Sequence, residues 1–338
     1  MNPILRQSAA VSLLAATSLL LSGCAAAATP AAGSGAAPSS GPNASATGYP
    51  VTVDNCGTAV TVSAAPERIV SIKSSTTEML LALGLGDRIV GSAFLDGPLP
   101  ESLAADGANL NVISDFLPGQ EAVLGLNPDF IYGGWQSNFS ADGVGERDAL
   151  ASLGVGSYVS PAACKGEYMP RPLTFDAVFT EITDAGTIFG ARPKADALVA
   201  TLKADLAALS PKTTGTPTAL WYSSGTTTPY VGAGIGSPNM IMTAAGLTNV
   251  FETVSDTWTS VGWESIIEAD PSVIVLVDAT WNTAASKIAY LESNPATRVL
   301  DAVKNQRYII LPFASTEAGI RNVEAVSATI DQLANLSG

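Results

Sequence analysis

Two glutamates stand at the same place in two copies of one short sequence pattern. The copies are EAVLGLNP (121–128) and ESIIEADP (264–271), and an apolar run follows each of them. Proline cannot continue a helix, so each copy predicts a short helix that ends near the proline and gives way to a strand. Glu121 and Glu264 are therefore predicted in first helical turns, where an exposed carboxylate can form an ion pair with a partner's cation.

Lys73 is the second residue whose position suggests chemistry. It lies where an apolar run, Ile69–Ile72, passes into a hydroxyl-rich segment that reads as a helix start, Ser74-Ser75-Thr76. A helix N-terminus together with an ammonium group forms an anion site. The alternative is that Lys73 is simply solvated at the rim of a cleft.

The chain has no histidine and three cysteines. A Ser-His-Asp triad, a Cys-His dyad and a histidine-based zinc site are therefore impossible, and we expect neither a cofactor nor a metal site of the protein's own. Outside the cytoplasm, Cys56 and Cys164 would form a disulfide. The alternative is two unpaired, small core residues.

Residues 1–23 read as a secretory signal, with an apolar stretch too short to span a bilayer. The signal ends in LSGC (21–24), which looks like a bacterial lipobox and implies lipid on Cys24; the alternative is an ordinary signal with a coincidental cysteine. Residues 24–48 are expected to form a lipidated, flexible linker. The net charge of −14 becomes −15 without Arg6, which argues against nucleic acid or an anionic lipid surface as partner.

Apolar strand-like runs alternate with helix-like segments through the rest of the chain. This order predicts an α/β fold of two Rossmann-like lobes, each a mainly parallel sheet flanked by helices. The lobes are expected over 49–192 and 211–338. One long, rigid helix over 193–210 joins them, with Pro193 at its first turn and a leucine stripe at 198, 202, 206 and 209.

Ligands of open α/β sheets bind beyond the carboxyl ends of the strands, so the loops there should line a cleft. Most tryptophans of the chain fall in these loops, and flat, amphipathic rings suit a large planar or conjugated ligand. The expected ligand-binding residues are Lys73, Ser74, Ser75, Thr76, Trp135, Trp221, Tyr222, Tyr230, Trp258 and Trp281.

The segment PERIVSIKSSTTEMLLALGLGDRIVG (66–91) closely resembles the opening of class III substrate-binding proteins of ABC importers. These helical-backbone proteins deliver ferric siderophores, haem and cobalamin. The paired glutamate motifs, the long helix and the lipobox follow in that family's order. The resemblance implies a lipid-anchored protein on the outer face of the cytoplasmic membrane, whose Glu121 and Glu264 bind arginines of a membrane permease.

The resemblance also bears on the ligand. Trp258 matches a tryptophan that recurs in cobalamin-binding relatives, and Arg321 lies in a region that supplies a ligand-binding arginine in others. Together with Lys73, Arg321 suggests an anionic group on the ligand; alternatively, Arg321 pairs with Glu317 or Glu324. The lack of histidine argues against capture of a bare metal ion, so a ferric siderophore or corrinoid is expected.

A second ligand class follows from LWYSSGTTTPYVGAGIGSPNM (220–240) and Lys73, which look similar to an actinobacterial subgroup. Members of that subgroup are proposed to import a phosphorylated deazaflavin cofactor precursor. A secreted enzyme is a rival of another kind, and without histidine it would need a Ser-Lys dyad or a carboxylate pair. Lys73 precedes the capping serines instead of following a serine by three residues, so it matches no Ser-Lys motif. A ligand sensor or adhesin is a further rival, and it would not need Glu121 and Glu264.

Overall fold

The computed structural model describes residues 48–212 and 215–336. The predicted signal peptide, the lipidation site Cys24 and the linker up to residue 47 lie outside these residues. Within the described part, no helix has both the length and the apolar character needed to cross a membrane.

The first half of the described chain carries seven strands and five helices. Its strands are β1 (Val51–Asn55), β2 (Thr58–Val62), β3 (Ile69–Ile72), β4 (Ile89–Ala93), β5 (Val112–Ser114), β6 (Phe130–Gly133) and β7 (Gly156–Val159). Its helices are α1 (Ser74–Ala82), α2 (Glu101–Ala104), α3 (Gln120–Leu124), α4 (Arg147–Ser152) and α5 (Phe175–Ile188).

The second half begins after a long helix, α6 (Arg192–Ala208). Its strands are β8 (Thr218–Ser224), β9 (Tyr230–Gly232), β10 (Thr248–Asn249), β11 (Trp258–Ser260), β12 (Val273–Asp278) and β13 (Tyr308–Pro312). Its helices are α7 (Ser237–Ala244), α8 (Trp263–Ala269), α9 (Ala284–Ser293), α10 (Asp301–Lys304), α11 (Phe313–Thr316) and α12 (Asn322–Asn335).

Each half is built around its own sheet. The first sheet has the order β5-β4-β3-β6-β7 and is parallel throughout. The second has the order β11-β9-β8-β12-β13, with β10 also paired to β8; β10, β8, β12 and β13 run parallel and β9 and β11 antiparallel. The predicted α/β class, with mainly parallel sheets flanked by helices, is confirmed.

The strands are apolar on both faces because helices cover both sides of each sheet. Along β12, Val273, Val275 and Val277 pack into one core cluster. Ile274 and Leu276, which point the other way, pack into the cluster on the opposite face. Such continuous apolar runs are typical of parallel strands buried on both sides.

The α6 helix confirms the helix predicted from Pro193, and its leucine stripe packs as the spacing indicated. The stripe lies against the core of the first half, together with α5. Leu209, just beyond the helix, contacts the core clusters of both halves. In chain order α6 therefore connects the two sheets, and apolar contacts hold it against the core of the first half.

The two glutamate motifs form the same corner in both halves. In each, a glycine with extended backbone precedes the helix, and the residue before the proline is left-handed: Asn127 has φ 50° and Asp270 has φ 36°. Proline disfavours a helical conformation at the preceding residue. Asn and Asp tolerate the left-handed region better than most residues, which is why they can stand before the proline. Asp270 is the C-cap of α8, whereas α3 ends at Leu124 with Gly125 as its C-cap.

A β-hairpin and the start of the last helix differ from the sequence prediction. β1 and β2 form an antiparallel hairpin that alternation over residues 51–62 could have predicted. Its turn has positive φ at both Cys56 and Gly57, as tight hairpin turns require. The sequence over 317–335 predicts one closing helix, but in the structure this helix begins at Asn322, after the short α11.

The hairpin turn also carries the disulfide. Cys56 is bonded to Cys164, so the predicted pair is confirmed. The bond ties the hairpin to the segment that follows β7, at a sequence separation of 108. Closing so long a loop restricts the unfolded chain and stabilises the fold by roughly 4–5 kcal/mol in the chain-entropy account.

Candidate functional site

A cavity of about 320 Å³ opens where loops from both halves meet. Several of these loops follow parallel strands: Trp135 comes after β6, Trp281 after β12 and Phe313 after β13. The carboxyl ends of parallel strands are the usual ligand site of such sheets. The cavity is lined by Ser75, Gly134, Trp135, Ser137, Ser160, Ala162, Ala163, Lys165, Leu173, Ser223, Ser224, Tyr230, Ser237, Thr257, Trp258, Trp281, Phe313, Glu317 and Ala318.

Aromatic rings form much of the cavity wall. Tyr230 and Trp258 are stacked with an interplanar angle of 15° and centroids 5.9 Å apart. Trp281 meets Phe313 edge to face at 5.5 Å and is itself 46% exposed. The structure thus brings Ser75, Trp135, Tyr230, Trp258 and Trp281 together at one site, as the sequence predicts.

Lys73 does not line the cavity, and its predicted role as an open anion site is wrong. Its side chain has no exposed surface and forms an ion pair with Asp96, whose side chain is equally buried. The ammonium nitrogen lies 4.0 Å from the ring centroids of both Phe94 and Trp135, and 4.7 Å from that of Phe313. Aromatic faces and a buried carboxylate together replace the water that a lysine normally keeps.

The neighbouring hydroxyls serve the turn that holds Lys73. Lys73 precedes α1 with φ 90°. Ser74 Oγ accepts a hydrogen bond from the backbone N–H of Asp96 at 2.8 Å, and Thr76 Oγ1 donates to the carbonyl of Ile72 at 2.9 Å. The hydroxyl groups of Ser74 and Thr76 therefore bond to backbone groups, and neither residue lines the cavity.

Trp221 and Tyr222 were predicted to line the cavity from a loop after a strand, and this prediction is wrong. Both belong to the interior of β8 and are almost completely buried, in core clusters on opposite faces of the sheet. Tyr222 donates its hydroxyl to the carbonyl of Gly225 at 2.8 Å. The strand runs on to Ser224, so the cavity begins only at Ser223 and Ser224.

Arg321 lies outside the cavity lining and is paired with carboxylates. It precedes α12, is 8% exposed, and lies 3.2 Å from Glu324 and 3.5 Å from Glu78. The alternative of an Arg321–Glu324 pair is thus the correct one. Burial raises the pKa of Glu78 to about 7, although Arg321 acts to lower it.

Glu317 lines the cavity. It lies in the stretch 313–321 that the sequence predicts as a loop of the cleft, but it is not one of the individually expected ligand-binding residues. Its Oε2 atom accepts a hydrogen bond from the indole N–H of Trp135 at 2.7 Å, which links the two halves. Burial raises the pKa of Glu317 to about 7, and the Lys73 ammonium opposes that rise. Its place in the loop after the last strand was the available signal.

A further buried carboxyl, that of Glu181, lies behind the cavity wall. Glu181 accepts hydrogen bonds from the Tyr132 hydroxyl at 2.7 Å and from Ser160 Oγ at 3.1 Å, and Ser160 lines the cavity. Burial raises the pKa of Glu181 to about 7. Tyr132, Glu181 and Ser160 thus form a hydrogen-bonded chain from the core to the cavity.

Comparison with known proteins identifies the family. The model of the periplasmic binding protein family matches residues 69–314. The chain belongs to the periplasmic binding protein family. A relative in Bacillus subtilis (strain 168), an uncharacterized ABC transporter substrate-binding lipoprotein, is 26% identical over 297 residues, covering 84% of this chain and 86% of its own.

Two solved structures share this architecture over most of their length. A periplasmic binding protein from Veillonella parvula has 27% identity and a TM-score of 0.74, covering 84% of this chain and 97% of its own. An ABC-type Fe3+-hydroxamate transport protein from Saccharomonospora viridis has 25% identity and a TM-score of 0.73, covering 84% and 99%. This periplasmic binding protein is therefore a substrate-binding protein of an ABC importer, not an enzyme.

The two motif glutamates of this binding protein are exposed. Glu121 lies in the first turn of α3 and Glu264 in the first turn of α8. Among the described residues, neither carboxylate forms an ion pair. Both are therefore open to a partner's cation.

Proposed function

We propose that this binding protein captures a conjugated organic ligand or a ferric chelate in the aromatic cavity and delivers it to a membrane permease. The observation that carries the proposal is the cavity wall, to which both halves contribute indole or phenol rings. Such rings contact conjugated groups over a large area, while hydroxyl groups such as those of Ser75 and Ser224 can fix the orientation of the ligand.

The size of the cavity favours a compact ligand. A volume of about 320 Å³ lies at the low end of the range of about 300–1,000 Å³ for small-molecule sites. A tricyclic ring or the core of a siderophore chelate suits this volume, whereas a corrinoid would stay largely outside it. A corrinoid is therefore the least favoured ligand of the classes that the sequence suggests.

A ferric siderophore of the hydroxamate type is the first candidate. The relative from Saccharomonospora viridis belongs to an Fe3+-hydroxamate transport system. Three hydroxamate anions neutralise Fe3+, so the chelate centre needs no strong counter-charge from the protein. The cavity agrees with this, since the ammonium of Lys73 is committed to Asp96 and that of Lys165 is exposed.

A phosphorylated deazaflavin precursor is the second candidate. Its flat tricycle fits beside Trp258 and Trp281, which line the cavity. Its phosphate would have to bind near Lys165, because Lys73 and Arg321 are both paired with carboxylates. This requirement makes it the weaker of the two.

Docking to the permease is assigned to Glu121 and Glu264. Both are exposed, and both occupy the same corner of a repeated motif. Two carboxylates on one body define an orientation, although each exposed ion pair contributes little affinity. Lipid on Cys24 would hold the protein at the outer face of the membrane, as the lipoprotein relative suggests.

A fluorescence titration tests the ligand assignment, since Trp135, Trp258 and Trp281 line the cavity. The chain from residue 25 onward would be titrated with a ferric hydroxamate chelate, cobalamin and a phosphorylated deazaflavin. We expect saturable quenching by the chelate or the deazaflavin, and its loss in Trp258→Ala. Trp263→Phe is the control, because Trp263 is buried and does not line the cavity. Tight binding of cobalamin alone would contradict the proposal.

A further inference from the structure

The charged groups around the cavity are unevenly placed. Among the residues that line the cavity, Glu317 carries a carboxyl group and Lys165 carries an ammonium group. Lys165 is exposed, so solvent screens its charge, whereas Glu317 is half-buried beside aromatic rings. The field inside the cavity is therefore set mainly by a carboxyl group.

Glu317 has a hydrogen-bonding position to spare. The Trp135 indole occupies Oε2, and within the described residues Oε1 has no hydrogen-bond partner. The bond to Trp135 fixes the carboxyl group in place. The free oxygen can accept a hydrogen bond from a group inside the cavity.

The aromatic rings of the cavity also favour a positively charged ligand. Tyr230, Trp258, Trp281 and Phe313 line the cavity together with Glu317. The face of an aromatic ring carries negative charge and attracts cations, most strongly for tryptophan. A cation in this cavity would meet ring faces and a carboxylate at once.

The nearest buried cation does not reverse this field. Lys73 is held by Asp96 and covered by Phe94, Trp135 and Phe313. Its side chain has no exposed surface. An anionic ligand could reach Lys73 only by breaking that ion pair.

We propose that Glu317 is the residue that recognises the ligand, by accepting a hydrogen bond from a positively charged N–H group next to its conjugated or chelate body. The inference rests on the proposed function and narrows its substrate class. A ferric hydroxamate bearing a free amine, or a protonated nitrogen heterocycle, fits. A ligand that places a carboxylate or phosphate at this point does not.

The protonation state of Glu317 gives the proposal a pH signature. The charged and titratable groups that act on Glu317 are Lys73, Asp96 and Lys165 from the first half and Tyr230 from the second. Burial raises its pKa to about 7, so a fraction of the free protein carries a neutral carboxyl at neutral pH. Binding a cation requires the ionised form, so affinity should rise as the pH increases through about 7.

Three acridines of one ring size provide a matched test. At pH 7.5, 9-aminoacridine is a cation with N–H donors, 9-methylacridine is neutral, and acridine-9-carboxylate is an anion. Their binding to the chain from residue 25 onward would be measured by calorimetry. We expect 9-aminoacridine to bind at least about tenfold more tightly than the other two, the ratio that one well-placed charged contact supplies.

Glu317→Gln isolates the carboxylate, because glutamine keeps the size and an acceptor for Trp135. In this variant the preference for the cation should vanish. The gain of about tenfold in 9-aminoacridine affinity expected from pH 6 to pH 8 should vanish as well. Glu268→Gln removes the same charge from an exposed residue. It should leave the preference for the cation and the pH dependence of the affinity unchanged. Circular dichroism and thermal unfolding verify that each variant is folded.

Several outcomes would overturn the proposal. They are equal or anion-favoured affinities, a cation preference that survives Glu317→Gln, a flat pH profile, or no binding of any acridine. None of these touches the importer role, which is tested by charge reversal at Glu121 and Glu264. If the recognition proposal fails while charge reversal still abolishes uptake, only the assignment of Glu317 is lost.

Discussion

At the scale of single residues, Lys73 shows how burial changes the function of a charged side chain. Its position before a helix suggested an anion site, but the side chain turns into a box formed by Asp96 and three aromatic rings. The sequence could not reveal this, because Asp96 lies in a separate loop and Phe313 in the other half. The residue therefore shapes the cavity from behind Trp135.

Lys73→Met should strongly destabilise the protein. It leaves the Asp96 carboxylate buried without a counter-ion, which costs about 3–5 kcal/mol in comparable cases. Urea unfolding measures the loss. Lys212→Met, which breaks a pair with side chains 58% and 59% exposed, should change the stability by less than about 1 kcal/mol. Equal effects of the two substitutions would refute the buried pair.

Glu181 should make the stability depend on pH. Its pKa is raised by burial to about 7 in the folded protein, above that of an unfolded glutamate, so the folded state binds the proton more tightly. Its contribution is fully present below the unfolded pKa and is lost as the pH rises through about 7. A shift of this size corresponds to roughly 2–3 kcal/mol between pH 5 and pH 8.

Glu181→Gln removes that contribution while keeping an amide that can bond Tyr132 and Ser160. The fall in stability from pH 5 to pH 8 should therefore be smaller in the variant by roughly 2–3 kcal/mol. Glu78 and Glu317, whose pKa values are also raised to about 7, act equally in both proteins. Unchanged pH dependence in chemical unfolding would show that Glu181 is ionised in the fold.

At the scale of elements, the repeated helix-to-strand corner is the most regular device in the chain. Both corners place a left-handed Asn or Asp before the proline. Asn127→Ala should lower the free energy of unfolding by about 1 kcal/mol, because the left-handed backbone conformation is less favourable for alanine than for asparagine. Asn127→Gly is the matched control and should be nearly neutral. If both variants unfold at the same urea concentration, the corner is not strained.

The helices and strands could be predicted where a proline or a glycine marks the end of an apolar run. Strands β3 and β12 fall where apolar runs predict them, and α6 begins within one residue of its predicted start. The start of α12 was not predictable, because residues 317–321 after α11 form a loop and not the first turns of the helix. There Asn322 donates to the carbonyls of Ser315 and Glu317.

At the scale of the whole molecule, the candidate site depends on contacts between the halves. Trp135 meets Glu317, and Arg321 lies 3.5 Å from Glu78. Loop positions after strands predicted Trp135, Tyr230, Trp258 and Trp281 at the cavity. Partner choice among buried charges was not predictable, since it depends on how the two halves face each other.

Charge reversal at both docking glutamates tests whether delivery of the ligand to the permease depends on these two carboxylates. Cells that rely on this protein would carry Glu121→Lys and Glu264→Lys together, and a double control would carry Glu101→Lys and Glu292→Lys, two exposed acids elsewhere in the two halves. Uptake of the ligand found by titration would be measured beside its binding to the purified variants. We predict that the docking variant loses uptake while it keeps ligand affinity, and that the control keeps both. Normal uptake by the docking variant would contradict delivery through these two carboxylates.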